Sequence, residues 1–437
     1  MTEANKLFEF AELAEASYAD FANFSPKAAL TTNGSSFSNT QAEDFLNHWR
    51  IFHHQPDTTL GFSATLFERI DDNPFDGFQS GQYVYAIRGT DGLLTDLAVT
   101  DAGDIVTDGL ALDQIVDMYN DWQRINAGSG QLYQAAVLDT DWGITAIRGA
   151  LVAGQVMAYD QFLASQGYII DKPLGLVRKV VFDWSDAVFG ASDPRSRGDV
   201  DINSLMLAGV TGHSLGGHLA AAFTRLFPGD TEALTINGAG YPTGLVDGIG
   251  GVATSNIANL FTALNGDIRF SAPSIHNIYG DKMPEFVTMD SILGLKQQGS
   301  SDALFIEQPN ALSNTLGHGA SQMTDSLAVY DLLVQLDISL QTQPLGETLS
   351  RLKVFFESAN HLANSSLESI ANALSLTLTN ENPLLKSTVE SHYMPVSKRY
   401  RQVTYISPSS EKSPLPPPQL PSSKHVQILV LFLALCI

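Results

Sequence analysis

The sequence predicts an α/β fold, with a mostly parallel central sheet flanked by helices and a helical insertion between two of the strands. Three observations carry that expectation. From the run at Leu205 onward, short apolar runs alternate with stretches of helical periodicity, the pattern of βαβ units and a largely parallel sheet. One run, Leu205 to Val210, passes through Thr211-Gly212-His213-Ser214-Leu215-Gly216-Gly217 into the alanine-rich Leu219 to Phe223, which reads as strand, sharp turn and helix. The roughly 120 residues between Thr90 and Gly212 are richer in helical than in strand patterning.

Composition narrows the function classes. With 437 residues, 44% of them hydrophobic, the chain has material for one large core or two ordinary ones. A formal net charge of −23 opposes nucleic acid and anionic membrane surfaces, so any lipid contact must be apolar. The one cysteine, Cys436, excludes an intrachain disulfide framework and a multi-cysteine metal site. Met1 to Lys6 lacks the basic and then apolar pattern of a cleaved secretion signal. No internal stretch reaches the roughly 20 apolar residues of a membrane span, and the apolar run Ile428 to Ile437 is about half that length.

In chain order, Leu7, Phe10, Ala11, Ala14, Tyr18 and Phe21 share a helical face and predict an opening amphipathic helix. Asn47 to His54 holds three histidines without a carboxylate or cysteine at ligand spacing, so surface or satisfied histidines are expected rather than a metal site. Leu60 to Ile70 and Tyr83 to Ile87 read as adjacent strands across the turn-prone Asp71-Asp72-Asn73-Pro74. The second ends at the polar corner Arg88-Gly89-Thr90-Asp91-Gly92, at the strand end where loops of open α/β sheets build sites. Asp113 to Ile125 reads as a helix. Trp142 to Phe162 is apolar at helical intervals, and either packs in the core or forms a lid or face that meets lipid. Further on, Ala233 to Ile236 and Ser274 to Tyr279 read as strands, and Thr324 to Leu336 as a helix. From Pro383 onward there are six Lys/Arg against two Asp/Glu and eight of the nineteen prolines, the composition of an extended, mobile tail.

The chemistry begins at Ser214. A serine hydroxyl becomes a useful nucleophile when a base takes its proton and an acid orients that base. On α/β sheets with this turn the chain order is Ser, then Asp or Glu, then His. Ser214, Asp281 and His318 satisfy it. Asp281 follows a predicted strand in Gly280-Asp281-Lys282-Met283-Pro284, with Asp267, Asp290 and Asp302 as rivals. His318 stands between two glycines before a helix, and its rivals are His276, His361, His392 and His425. An oxyanion forming at the substrate needs two or more donors, for which the Leu215 backbone N–H and the N–H and hydroxyl of Thr90 are placed.

These segments resemble the class 3 lipase family, whose pattern is a strand ending in Arg-Gly-Thr or Arg-Gly-Ser, then Gly-His-Ser-Leu-Gly-Gly, an Asp in a Gly/Asn-Asp-x-x-Pro setting and a loop His. The resemblance covers about residues 60 to 340. It implies an α/β-hydrolase-like fold and hydrolysis of carboxylic esters of lipids through an acyl-enzyme. Ser214 would be the nucleophile, His318 the base, Asp281 its orienter and Thr90 an oxyanion donor. The implied division is a hydrolase domain over 1–345 with the insertion over 110–200, a helical extension over 346–382 and the proline-rich tail over 383–437. No cofactor is implied, and a calcium requirement is not readable from the sequence. Bacterial relatives with similar segments are often exported by a C-terminal signal after calcium-binding glycine repeats, which this chain lacks; the compartment stays open, with export without a cleaved signal set slightly ahead of the cytoplasm. A phospholipase or polyester depolymerase with the same triad, or a non-catalytic lipid-binding or adhesive module, stays open beside the triacylglycerol-type esterase.

Overall fold

The computed structural model of the chain describes residues 3–32, 35–72, 77–89, 111–127, 130–187, 206–229, 231–242, 252–266, 274–281, 295–306, 319–336, 345–350 and 352–353. Its centre is a seven-stranded sheet in the order β1-β2-β3-β7-β8-β10-β12. These strands are β1 (Trp49–Gln55), β2 (Ala64–Arg69), β3 (Gln82–Ile87), β7 (Met206–His213), β8 (Ala233–Ile236), β10 (Ile275–Gly280) and β12 (Ser300–Leu304). The two pairings at the β1 edge are antiparallel, and the four from β3 to β12 are parallel. The α/β expectation is met in this form.

Helices cover both faces. On one side lie α1 (Glu3–Ala16), α2 (Pro26–Thr31), α3 (Asn39–His48) and α9 (Ala320–Leu336), with Phe10, Phe45, Phe67, Val84, Ala86, Leu234, Ile278 and Leu327 in one core. On the other lie α4 (Leu112–Asn126), α7 (Leu215–Leu226) and α8 (Ala253–Ala263), against Tyr83, Tyr85, Ile87, Val210 and Ala233. The alternation within β3 shows why both faces fill: Val84 and Ala86 go to one core, and Tyr83, Tyr85 and Ile87 to the other. The first helix follows β7 closely. A Cβ on Gly209 would stand 2.6 Å from the Phe10 ring, and the Thr211 hydroxyl donates to the Phe10 carbonyl at 3.0 Å. Glycine at 209 is what lets the helix descend onto the strand.

The helical insertion needs correction. Between β3 and β7 the described residues contain α4, α5 (Trp142–Gly149) and α6 (Ala153–Ser165), but also a three-stranded antiparallel sheet. Its strands are β4 (Leu132–Thr140), β5 (Ile169–Asp171) and β6 (Leu176–Asp186), in the order β4-β6-β5. Much of β6 is exposed and its apolar residues do not alternate, so it lacks the period-2 signal by which a half-buried strand is recognised. A third sheet, of two strands, pairs β9 (Tyr241–Pro242) with β11 (Leu295–Lys296).

The run Trp142 to Phe162 does not pack in the core. Helix α5 buries no residue and α6 buries only Asp160, Leu163 and Ala164. Of the fifteen exposed large apolar side chains among the described residues, eleven lie between Leu132 and Trp184, with Trp142 71% and Val152 67% exposed. The base of the insertion is nonetheless fastened. Asn256 of α8 exchanges two hydrogen bonds of 2.9 Å with the backbone of Ile170, Asn259 donates to the carbonyls of Ala164 and Tyr168, and Arg178 pairs with Asp113 at 2.6 Å.

Asp121 of α4 knots the β1 edge to the helix layer. It accepts from Tyr85 at 2.6 Å and from Arg124 at 2.7 Å, and lies 3.1 Å from His53. Burial pushes its carboxyl up, but His53, Arg124 and Tyr85 together outweigh burial and hold it below the usual carboxylate range. Removing the acceptor takes from the buried Tyr85 hydroxyl, from Arg124 and from His53 the one group on which all three converge. Asp121→Ala is expected to destabilise the fold by about 3–5 kcal/mol, read as a lower denaturant midpoint, and Asp121→Asn by less.

Candidate active site

Ser214 occupies the single residue between β7 and α7, with φ 57° and ψ −122°. A residue with a Cβ avoids this region, and holding it there costs on the order of 1–3 kcal/mol. The neighbouring glycines make the turn feasible. A Cβ on Gly212 would stand 2.2 Å from the Gly216 carbonyl oxygen, and one on Gly216 would stand 2.1 Å from that of Ile87. Gly217 is equally confined, 2.6 Å from the Gly238 Cα. The motif therefore has a steric meaning: each glycine marks a backbone crossing a backbone. The Ser214 side chain does not cap α7, and the Leu215 N–H, in the first turn of that helix, belongs to the donors a helix cannot satisfy internally.

The backbone of Ser214 is held from both sides. Its N–H donates to Ile236 at 3.0 Å, and its carbonyl accepts from Gly217 and Ala239, each at 3.0 Å. Gly89, at the end of β3, abuts the same turn: a Cβ there would stand 2.4 Å from the His213 carbonyl and 3.3 Å from the Ser214 Cβ. The same position would be 2.4 Å from the Tyr18 hydroxyl, which in turn is hydrogen-bonded to His213 Nδ1 at 2.8 Å. Thr90 follows Gly89 directly in the chain and lies outside the described residues.

Asp281 stands just past the carboxyl end of β10, two strands from β7, about 10 Å across the sheet at the usual strand spacing. Its N–H donates to Leu304 at 2.9 Å and its Oδ1 accepts from the Ile306 N–H at 3.4 Å. The side chain is 3% exposed and its Oδ2 pairs with Lys353 Nζ at 2.9 Å. A carboxylate offers about four acceptor directions, so these contacts leave capacity for another donor. His318 lies outside the described residues, in the chain between β12 and α9. Thus Ser214, Leu215, Gly89 and Asp281 are brought to the carboxyl edge of one parallel sheet. Of the rivals, Asp302 is held by His276 at 2.8 Å, whereas Asp267, Asp290, His361, His392 and His425 lie outside the described residues.

The three early histidines behave as satisfied side chains: His48 meets Asp71 at 2.7 Å, His53 meets Asp121, and His54 meets the Thr65 hydroxyl at 2.8 Å. Among the described residues no cluster of three or more His, Cys, Asp or Glu could hold a metal ion. Four residues beside the site were not singled out for it by the sequence: Tyr18, read there only as part of an apolar helix face, His218, Asn237 and Lys353. Only Asn237 carried a local signal, since Asn-Gly after a strand marks a turn that needs positive φ.

His218, one turn into α7, is fully buried and stacks on Tyr241 with ring centroids 4.0 Å apart. Its Nδ1 lies 3.3 Å from the Gly240 carbonyl, which can only accept, so that nitrogen carries the proton of a neutral ring.

No model of a known protein family matches the chain, and no curated protein does so. Among solved structures, it is similar to the Lip2 lipase from Yarrowia lipolytica at 17% identity, over 69% of this chain and 79% of that one, with a TM-score of 0.29. It is similar to M37 lipase at 12% identity, over 82% of this chain and 100% of that one, with a TM-score of 0.27.

Burial pushes His218 and His54 each down to about 4, whereas the unfolded chain takes up those protons near pH 6.5. The unfolded state therefore binds more protons between these values, and stability falls as pH drops from 6.5 toward 4. Each histidine is expected to contribute on the order of 2 kcal/mol to that loss. Denaturation midpoints across the interval should show a shallower pH slope in His218→Phe than in the wild type.

Proposed function

We propose that the chain is an α/β-hydrolase-like serine esterase acting on carboxylic esters of lipids. The observation that carries the reading is the backbone of Ser214: a buried serine forced into positive φ between a parallel strand and a glycine-packed helix. Strain of this kind is retained where it presents a reacting atom, here a hydroxyl at the carboxyl edge of the sheet.

In the proposed reaction His318 takes the Ser214 proton as Oγ attacks the ester carbonyl, with Asp281 orienting the imidazole and stabilising its cation. The oxyanion accepts from the Leu215 N–H and from Thr90. Collapse of the tetrahedral intermediate breaks the carbon–oxygen bond to the alcohol, which leaves with the proton from His318. Water, deprotonated by the same histidine, then releases the carboxylate and restores Ser214. Losing one oxyanion donor would slow such a reaction on the order of 10²–10³-fold.

The insertion supports lipid as the source of the ester. Over residues 142–170 the only charged side chains are Arg148 and Asp160, which bind each other at 2.6 and 3.0 Å and are 14% and 4% exposed. The α5–α6 hairpin thus presents Trp142, Ile147, Val152, Met157 and Phe162 to solvent with its charge cancelled internally. Fastened at its base by Asn256 and Asn259, it reads as a fixed docking face for a neutral lipid surface more readily than as a hinged lid. Among the described residues no helix is long and apolar enough to cross a membrane.

Hydrolysis of a soluble p-nitrophenyl ester and labelling by a fluorophosphonate test the chemistry. The wild type should do both, and Ser214→Ala should lose at least about 10³-fold in kcat. Equal rates would remove the reading, and intact liposome binding without labelling would favour a non-catalytic lipid-binding module. Relative rates on triolein, phosphatidylcholine and polyhydroxybutyrate assign the ester class. Replacing Trp142 and Ile147 together by Ser should weaken partition into phosphatidylcholine vesicles by at least about tenfold, since each side chain transfers with about 1–2 kcal/mol.

A further inference from the structure

We infer that Asn237 is a positioning residue, setting the distance between the nucleophile turn and the strand end that carries Asp281; this rests on the roles proposed above for Ser214 and Asp281. The sheet register places it there. His213, Ile236 and Ile278 form one row across β7, β8 and β10, so Ser214, Asn237 and Tyr279 are the next residues on three adjacent parallel strands. Ser214 and Asn237 are two of only three non-glycine residues with positive φ among the described residues, at 57° and 46°. The two strained residues of the sheet therefore follow neighbouring strands at the same edge.

Asn237 reaches in both directions. Toward β10, its N–H donates to the Ile278 carbonyl at 2.8 Å and its Oδ1 accepts from the Gly280 N–H at 2.9 Å, one residue before Asp281. Toward β7, Ile236 just before it and Ala239 two residues after it hold Ser214: the Ile236 carbonyl accepts from the Ser214 N–H, and the Ala239 N–H donates to the Ser214 carbonyl, each at 3.0 Å. Gly238 passes under α7, where a Cβ would stand 2.9 Å from the Thr235 hydroxyl, and closes the loop against Gly217. Asn237 itself is wholly buried. Asparagine is one of the few side chains that accepts left-handed backbone and also supplies a short acceptor. A loop that only connected β8 to β9 would need the conformation but not the amide oxygen on Gly280.

The roles separate by substitution. Asn237→Gly keeps the left-handed backbone and deletes the acceptor, whereas Asn237→Asp keeps both. Each is assayed below its own melting midpoint with a soluble p-nitrophenyl ester and a fluorophosphonate, with rates counted per folded molecule. Asn237→Gly should lose at least about tenfold in kcat and in labelling rate with KM within about twofold, because ground-state binding is untouched. Asn237→Asp should stay within about threefold of the wild type. A wild-type kcat in Asn237→Gly, whatever its stability, overturns the inference and leaves the Ser214 reading standing. Should Asn237→Gly fail to fold, a tenfold loss in Asn237→Asp overturns it instead. A wild-type chain that is neither labelled nor active removes the Ser214 reading, and the inference with it.

Discussion

At Gly216 the first turn of the helix after Ser214 lies against the carbonyl of Ile87, so that any Cβ would collide with the end of the neighbouring strand. That contact governs more than the local turn. It brings the end of β3 and the start of α7 together, and so puts the corner at Gly89 beside Ser214. Gly212, Gly217 and Gly238 repeat the device, and the result is a place where three chain segments cross without side chains between them. Close packing of this kind has no compliant element to absorb a substitution, so its geometry is kept or lost as a unit.

The first helix contributes to the same place from below. Phe10 occupies the space above Gly209, and one strand-length further Tyr18 closes on His213 and Gly89. The helix advances about 9 Å from Phe10 to Ala16, where α1 ends, and the turn that follows carries Tyr18 to His213. An opening segment that composition marks only as amphipathic thereby becomes part of the support of the candidate site.

What was legible in the sequence follows from which physical signals are local. The strand, turn and helix around Ser214 could be read because glycine spacing and an apolar run are both short-range, and the same holds for β8, β10 and α4. The parallel order placing Asp281 near Ser214 followed from chain order alone. Other features depend on partners distant in sequence. Strand β1 was hidden in a segment whose histidines read as surface or satisfied side chains, and Asp121 and Arg124, the partners that bury His53, lie about 70 positions away. Strand β6 alternates too poorly to reveal itself before β4 is laid beside it. The pairing of Asp281 with Lys353 and the reach of Asn237 to Gly280 join residues more than 40 positions apart, and no periodicity encodes them.

The cancelled pair Arg148–Asp160 has an electrical consequence for the whole molecule. Within a chain of net charge −23, the α5–α6 hairpin is an apolar stretch whose two charges, Arg148 and Asp160, are paired with each other. On the lipid-surface reading proposed above, an anionic film would repel the acidic remainder of the chain more than the α5–α6 hairpin. The repulsion acts over about 8–10 Å at physiological salt, which is longer than any contact the hairpin makes, so the torque is applied before touching. Orientation would then precede adhesion: the acidity that weakens binding also filters out approaches that would land the protein with its apolar hairpin in water.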